Sequence, residues 1–222
     1  MPTCPLCLSS RTCLFHAGQG REFHRCDTCD LVFVPSPFHL DAQAEMERYL
    51  QHNNDPEDEA YRAFLSRLLD PLRPHLRPSA RGLDYGAGPG PALVAMMREE
   101  GFEVSVFDLY FSPDESPLAE SYDFITCTET AEHFAEPGRE FQRLHAMLRP
   151  SGWLGVMTSM LDDWSRFPGW HYQRDPTHIS FYSKRTMCWI GRRHALDVHF
   201  PAPNVTLFHK PLGATHASED VG

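Results

Sequence analysis

The sequence contains no run of 18 apolar residues, no internal repeat and no long low-complexity segment. Without such an apolar run, we expect no transmembrane helix and no membrane partner. The first residues lack the charged and apolar regions of a signal peptide, which favours a cytoplasmic location. Basic residues are few, because 20 Lys and Arg stand against 30 Asp and Glu, a net charge of −10. This balance disfavours nucleic acid as a partner, although it leaves room for a local basic patch.

Cysteine, by contrast, is present at seven positions. In the cytoplasm, cysteines are more often metal ligands or free thiols than disulfides. Cys4 and Cys7 form one C-x2-C pair and Cys26 and Cys29 another, with eighteen residues between the pairs. Each pair would form a knuckle that directs two thiolates at one Zn²⁺, and two knuckles complete its tetrahedron. We predict a structural zinc ribbon, with disulfides and a redox pair as the alternatives.

A helical connector is predicted after the cysteine module. Asp41 and Asp55 have the sequence context of N-cap residues for two helices, and Pro71, Pro74 and Pro78 predict the end of the second. Two interpretations remain open for this connector. Its helices could simply pack against the main domain, or Tyr49 or His52 could close over a bound ligand as a lid.

A glycine-rich turn, Gly86-x-Gly88-x-Gly90, follows a short apolar strand that ends at Asp84. Glycines allow unusual backbone angles and the close approach of a ligand, and the helix after them offers unpaired N–H groups. Nucleoside cofactors are commonly held in this way at the carboxyl edge of a parallel sheet. The spacing differs from the G-x-G-x-x-G of dinucleotide sites. A carboxylate at Asp84 would repel a pyrophosphate and suits a cationic ligand.

This stretch resembles motif I of the class I methyltransferases that use S-adenosylmethionine (SAM), a cofactor with a sulfonium and an ammonium group. Asp108, at the end of the second strand, matches the acidic residue of that family that binds the ribose hydroxyls. The run 148–154 matches the family's L-x-P-G-G turn, with Ser151 in place of one glycine. Residues 111–120 leave little room for the extra helix and strand that many relatives have.

The resemblance implies a Rossmann-like α/β sheet carrying the cofactor site, to which the zinc ribbon is added. It implies that SAM is bound by Asp84, Tyr85, Gly86, Ala87, Gly88, Gly90, Asp108, Leu109 and Glu129.

A buried strand over residues 122–128 is predicted to lead into Glu129, Glu132 and His133. This pattern resembles one in ubiquinone-type O-methyltransferases, where it has been linked to a divalent cation. Two carboxylates and an imidazole could bind such an ion. The interpretation that we favour places His133 beside the methyl acceptor or makes it a general base, since imidazole titrates near neutrality.

The long segment 164–182 is aromatic and rich in histidine. It resembles the D-x-T-H…F-Y-S segment of a bacterial methyltransferase group that has an N-terminal zinc ribbon, where it borders the acceptor pocket. The resemblance makes His171, Tyr172, Asp175 and His178 substrate-side candidates, with His133, Tyr172 and His178 as the catalytic residues. His178 could accept a proton while Asp175 fixes its tautomer. Alternatively, these side chains only hold the loop in place.

We therefore predict a SAM-dependent methyltransferase acting on an O, N or C atom of an unidentified acceptor, with a small molecule favoured. The competing predictions are a nucleotide-dependent oxidoreductase, which the glycine spacing opposes, and an inactive methyltransferase-like module whose zinc ribbon binds a protein, carrier or RNA. The predicted division is a zinc ribbon (1–37), a helical connector or lid (38–80), a SAM-binding domain (81–210) and a flexible tail (211–222).

Overall fold

Two β-sheets organise the part of the chain that the computed structural model describes, residues 1–50 and 55–213. The strands are β1 (Thr12–Gly18), β2 (Arg21–Cys26), β3 (Val32–Phe33), β4 (Arg81–Tyr85), β5 (Glu103–Phe107), β6 (Tyr122–Thr128), β7 (Leu148–Met157), β8 (Ser180–Phe181), β9 (Asp197–Ala202) and β10 (Val205–His209). The α-helices are α1 (Ala42–Tyr49), α2 (Glu59–Leu72), α3 (Ala92–Glu99), α4 (Pro137–Met147) and α5 (Lys184–Arg193). The predictions for His52 and for residues 214–222 of the tail lie outside the described residues.

The larger sheet has the strand order β5-β4-β6-β7-β10-β9. Strands β5, β4, β6 and β7 are parallel, whereas β10 runs antiparallel to both of its neighbours. This is the predicted Rossmann-like sheet. Only a short 3-10 helix, Ser116–Ala119, lies between β5 and β6, so the prediction that this segment is too short for another helix and strand is confirmed. Because β4, β5 and β6 are parallel, their carboxyl ends meet at one edge.

The smaller sheet joins distant parts of the chain in the order β1-β2-β3-β8. Strands β1, β2 and β3 belong to the cysteine module, and β8 comes from the aromatic segment after β7. The Phe23 ring of β2 lies 5.1 Å from the Phe167 ring and 5.8 Å from the Phe181 ring, centroid to centroid, in edge-to-face geometry. Such pairs stabilise a core beyond the area they bury. The aromatic segment is therefore packed against the cysteine module.

The two connector helices begin at carboxylate N-caps. Asp41 caps α1 by accepting the N–H of Ala44 at 2.9 Å, as predicted. The prediction for α2 is wrong in position, because Asp58 rather than Asp55 caps it. Of the three prolines predicted to end α2, Pro71 still lies inside the helix, where its missing N–H removes a single backbone bond, and α2 ends at Leu72, before Pro74. The buried face of α2 packs into the core through Leu65, Leu68, Leu69 and Leu72. Within the described ranges, no helix combines the length and the apolarity needed to cross a bilayer.

Ser151 occupies a glycine-type conformation near the start of β7. Its φ is +63°, in the left-handed region, where a Cβ is unfavourable. We expect Ser151→Gly to raise the free energy of unfolding by about 0.5–1 kcal/mol, because glycine removes this strain. Urea denaturation of the two proteins would measure the difference. Ser151→Ala keeps the Cβ and serves as the control, so a gain in Ser151→Ala as large as in Ser151→Gly would contradict the strain argument.

Candidate functional site

A cavity of about 760 Å³ opens where β4, β5 and β6 end. Its volume falls within the about 300–1,000 Å³ typical of small-ligand pockets. The predicted acceptor-side residues His133, Asp175 and His178 line it. Among the predicted cofactor residues, Asp84 and Gly90 do not line it. Those that do are Tyr85, Gly86, Ala87, Gly88, Asp108, Leu109 and Glu129. The structure therefore brings most of both predicted groups to one cavity.

The two remaining substrate-side candidates, His171 and Tyr172, line a neighbouring cavity of about 680 Å³. This second cavity shares Phe64 and Glu129 with the first. His171 is exposed, whereas Tyr172 is buried.

The glycine turn after β4 needs its glycines at two positions. Gly86 and Gly88 have φ values of +79° and +67°. A Cβ at Gly86 would also lie 2.2 Å from the Thr130 side chain, so no other residue fits there without a rearrangement. The main chain is thereby exposed to the cavity, and a ligand can approach it closely.

Asp108 fixes the shape of this edge. One oxygen of its carboxylate accepts the Gly88 N–H at 2.9 Å. The other accepts the N–H groups of Tyr110 and Phe111 at 2.9 and 3.0 Å. Each carboxylate oxygen has two lone pairs, so acceptor capacity towards a ligand hydroxyl remains on the Gly88 side. The sequence predicted the contact with ribose but not the bonds to the backbone.

Asp84 lies beneath the turn rather than in the cavity wall. Its carboxyl group is buried and accepts the Thr126 hydroxyl at 2.6 Å. Burial raises the pKa of Asp84 to about 6, a shift that the Thr126 hydrogen bond opposes and the charge of Asp108 increases. The negative charge is therefore unfavourable in the protein alone, and a cation in the cavity would favour it.

A buried hydrogen-bond network centres on Glu132, which has no exposed surface. One oxygen of its carboxylate accepts the Thr158 hydroxyl at 2.8 Å, and the other accepts the Tyr172 hydroxyl. Burial raises the pKa of Tyr172 well above its ordinary value. Tyr172 is thus a neutral donor that orients Glu132, and it is not poised to take a proton.

The imidazoles of His133 and His178 lie side by side, with ring centroids 4.9 Å apart. Nδ1 of His133 is 3.0 Å from the Thr177 carbonyl, and Nδ1 of His178 is 2.8 Å from the Tyr172 carbonyl. A carbonyl only accepts, so both Nδ1 atoms carry the hydrogen and both Nε2 atoms are left as acceptors in the neutral rings. Burial lowers the pKa of His178, which keeps that ring neutral.

The predicted partnership of Asp175 with His178 is wrong. The Asp175 carboxylate instead accepts two bonds from the Arg48 guanidinium, at 3.1 and 2.7 Å, and the Thr177 hydroxyl at 2.6 Å. The tautomer of His178 is set by the backbone of Tyr172, because Nδ1 of His178 donates to the Tyr172 carbonyl.

The grouping of possible cation ligands also differs from the predicted one. One ligand atom from each of Glu132, His133 and His178 lies within 4.8 Å of the other two. Glu129 is not in this group. Burial, followed by the charge of Glu132, raises the pKa of Glu129, which favours its protonated form and weakens it as a metal ligand.

Helix α1 covers the cavity. The Glu45 carboxylate accepts the hydroxyls of Tyr49 and Tyr110 at 2.6 and 2.7 Å. The Tyr49 ring lies edge-on to His133, with centroids 5.1 Å apart. Together with the ion pair between Arg48 and Asp175, these contacts tie α1 to both ends of the cavity.

A family model described as a methyltransferase domain matches residues 50–199. The chain belongs to this methyltransferase family. No curated protein sequence matches it at a significant level. Among solved structures, the 1,6-didemethyltoxoflavin-N1-methyltransferase of Burkholderia thailandensis aligns with a TM-score of 0.51 and 19% identity, over 88% of this chain and 98% of that one. A candidate sarcosine dimethylglycine methyltransferase of Galdieria sulphuraria aligns with a TM-score of 0.51 and 20% identity, over 69% of this chain and 68% of that one. Both likenesses show the fold.

The four cysteines of this methyltransferase form two matched knuckles. In each knuckle, the backbone N–H of the residue after the second cysteine bonds back to the carbonyl of the first cysteine. Leu8 donates to the Cys4 carbonyl and Asp30 donates to the Cys26 carbonyl, both at 2.9 Å. The Cys4–Cys29 and Cys7–Cys26 sulfurs are each 3.5 Å apart, and all four sulfurs lie within 4.8 Å of one another. Tetrahedral Zn²⁺ with bonds of about 2.3 Å needs sulfurs about 3.8 Å apart, so the donor set fits this ion.

Several residues at the site of this methyltransferase had no signal in the sequence. Arg21, Glu45, Arg48 and Tyr110 are ordinary polar residues in their local context, and their partners are distant along the chain. Thr128 is another, because its hydroxyl is buried in the cavity wall without a hydrogen-bond partner in the described part of the chain. A bound ligand could satisfy that hydroxyl.

Proposed function

We propose that this methyltransferase transfers the methyl group of SAM to an O, N or C atom of a small-molecule acceptor. The observation that carries the proposal is the single cavity that the glycine turn, Asp108 and the paired imidazoles of His133 and His178 all line. A methyltransferase needs its two substrates side by side, since the methyl group passes by in-line displacement and positioning supplies most of the rate.

The cofactor end fits SAM in several respects. The exposed backbone at Gly86 and Gly88 allows close approach, and Asp108 keeps acceptor capacity for a ribose hydroxyl. The unpartnered Thr128 hydroxyl points to a missing polar ligand group. Asp84 would gain from a nearby positive charge. When bound, SAM supplies an activated methyl group on a sulfonium.

At the acceptor end, the Nε2 atoms of His133 and His178 offer lone pairs to the acceptor's hydroxyl or amine. Either could take the proton of an O–H or N–H acceptor. Glu132 and Tyr172 hold this region in place through their hydrogen bond. Helix α1 reduces access of water, which favours transfer from a cationic donor. These groups support an active enzyme over an inactive binding module.

We further propose that Zn²⁺ is bound by Cys4, Cys7, Cys26 and Cys29 in a structural role, in a reducing cytoplasmic setting. The division into a ribbon (1–37), a connector (38–80), a SAM-binding domain (81–210) and a tail (211–222) belongs to the same proposal. The pairing of β3 with β8 adds residues 180–181 to the ribbon's sheet.

The test is calorimetric titration of zinc-loaded protein with SAM and with S-adenosylhomocysteine (SAH), and with NADH as the competing ligand. We expect micromolar affinity for SAM and SAH, and none for NADH. Asp108→Ala should weaken both by at least about tenfold, or about 1.4 kcal/mol, because it removes the ribose acceptor and the anchor of the glycine turn. Asp114→Ala, an exposed acid on the same loop, is the matched control. A folded wild-type protein that binds NADH but neither SAM nor SAH would overturn the proposal.

A further inference from the structure

Arg21 connects the cysteine module to the loop that carries the acceptor-side residues. It lies on β2, and only 8% of its surface is exposed. Nη1 donates to the carbonyls of Pro176 and His178, each at 3.0 Å. Nη2 donates to the carbonyls of Gln173 and Asp175 at 2.6 and 3.1 Å. One guanidinium thus holds four carbonyls of a six-residue segment.

The two terminal nitrogens of the Arg21 guanidinium stabilise the backbone conformation of residues 173–178. Over residues 173–178 the carbonyls converge on one buried point, where no water or strand partner is needed because the guanidinium supplies the donors. In the described residues, no carboxylate oxygen lies within 4 Å of the Arg21 guanidinium, so the carbonyl oxygens are its direct partners and the charge of Asp175 acts on it from farther away. Arginine has five donors in a planar, fixed arrangement, which a lysine cannot reproduce.

The same segment sets the two imidazoles. The carbonyl of Thr177 receives Nδ1–H of His133, and the carbonyl of Tyr172 receives Nδ1–H of His178. The Tyr172 carbonyl directly precedes the four that Arg21 binds, and the Thr177 carbonyl lies between two of them. Next to them, Ile179 donates to the Glu132 carbonyl and accepts from Val34 of the cysteine module, both at 2.9 Å. The tautomer and orientation of both rings therefore depend on a backbone conformation that the cysteine module fixes.

We propose that Arg21 is a positioning residue through which the ribbon fixes His133 and His178 for the acceptor. This inference rests on the proposed function and gives the ribbon a specific task in it. The cofactor side is separate, since in the described chain the glycine turn and Asp108 make no hydrogen bond to Arg21 or to residues 173–178. Loss of Arg21 should therefore disturb the acceptor side and leave SAM binding in place.

The test compares zinc-loaded full-length wild type with Arg21→Gln and Arg21→Lys, and with Arg11→Gln as the matched control. Arg11 is an exposed arginine of the same module. Each protein is treated with diethylpyrocarbonate, and modification of His133 and His178 is followed by mass spectrometry. In Arg21→Gln we expect both histidines to react roughly tenfold faster, because the segment opens locally. The histidines of Arg21→Lys should react at a rate between those of wild type and Arg21→Gln, and those of Arg11→Gln should react at the wild-type rate.

A second readout separates positioning from general destabilisation. The affinity for SAH, measured by calorimetry, should stay within about twofold of wild type in Arg21→Gln, since the cofactor side keeps its contacts. Unchanged histidine reactivity in a folded Arg21→Gln protein would overturn the proposal. A parallel loss of SAH affinity and of the circular dichroism signal in Arg21→Gln would also overturn it, because Arg21 would then stabilise the whole fold and not the acceptor side in particular. Failure of wild type to bind SAH would contradict the methyltransferase proposal alone, because the histidine comparison does not need a cofactor.

Discussion

Removal of the Zn²⁺ that we propose at the four cysteines is expected to destabilise the whole protein and not the first 37 residues alone. About thirty residues bury too little apolar surface to fold without a staple, and structural zinc supplies folding free energy directly. The ribbon's sheet contains β8, and its Phe23 packs among Phe167 and Phe181 of the aromatic segment. When the ribbon unfolds, that segment loses its support. We therefore expect Cys26→Ser to lower the melting temperature by about 10 °C or more, the equivalent of about 3–5 kcal/mol for a chain of this size.

The measurement is differential scanning calorimetry of wild type and Cys26→Ser, with the zinc content of each determined by elemental analysis. Wild type should hold one zinc per chain, and a chelator should reproduce the effect of the mutation. Cys13→Ser is the matched control, because Cys13 is an exposed cysteine between the two pairs. A zinc-free Cys26→Ser protein that melts with wild type would contradict the structural role of the metal. Equal losses in Cys13→Ser and Cys26→Ser would contradict the assignment of the ligands.

The features that the sequence predicted well are those encoded within a few neighbouring residues. The knuckles at Cys4 and Cys26 follow from C-x2-C spacing, and the glycine turn follows from backbone angles that only Gly86 and Gly88 adopt easily. Local chemistry of this kind needs no knowledge of distant partners.

The features that could not be predicted from the sequence depend on partners far along the chain. Asp175 is three residues before His178, which suggested a pair, but Arg48 from α1 takes the carboxylate. Arg21 is 152 to 157 residues away from the carbonyls it binds, and no pattern marks such a contact. The N-cap error at Asp55 is different in kind. Asp55 and Asp58 are both suitable cap residues by type, and in the structure Asp58 accepts the N–H groups of Ala60 and Tyr61 whereas Asp55 accepts that of Glu57 in the turn before α2.

Asp84→Asn is expected to stabilise the cofactor-free protein at neutral pH. The pKa of Asp84 in the folded protein is about 6, above the ordinary value of 3.8, because the carboxyl group is buried. The folded state therefore holds the proton more tightly than the unfolded chain, and stability falls as pH rises from about 4 to about 6. Two pKa units correspond to about 3 kcal/mol. Asparagine can still accept the Thr126 hydroxyl and carries no charge.

Urea denaturation of wild type and Asp84→Asn at two pH values would measure this effect. We expect the variant to be more stable by about 3 kcal/mol at pH 7.5 and by only about 0.5 kcal/mol at pH 4. Any loss of zinc at low pH affects both proteins alike and cancels in the difference. Asp114→Asn, an exposed aspartate whose pKa is lowered by Ser116, is the matched control and should gain no stability. A difference that does not depend on pH would show that the charge of Asp84 is not its cause.

The same substitution should weaken the binding of SAM more than that of SAH. The two ligands share an ammonium group, but only SAM carries a sulfonium, so a buried carboxylate near the turn discriminates between them through its charge. We expect Asp84→Asn to reduce the preference for SAM over SAH by roughly tenfold in calorimetric titrations. The destabilising carboxylate would then be explained by its attraction, through the turn, to the positive charge of the bound cofactor. An equal loss for both ligands would instead assign Asp84 to the part of the site that they have in common.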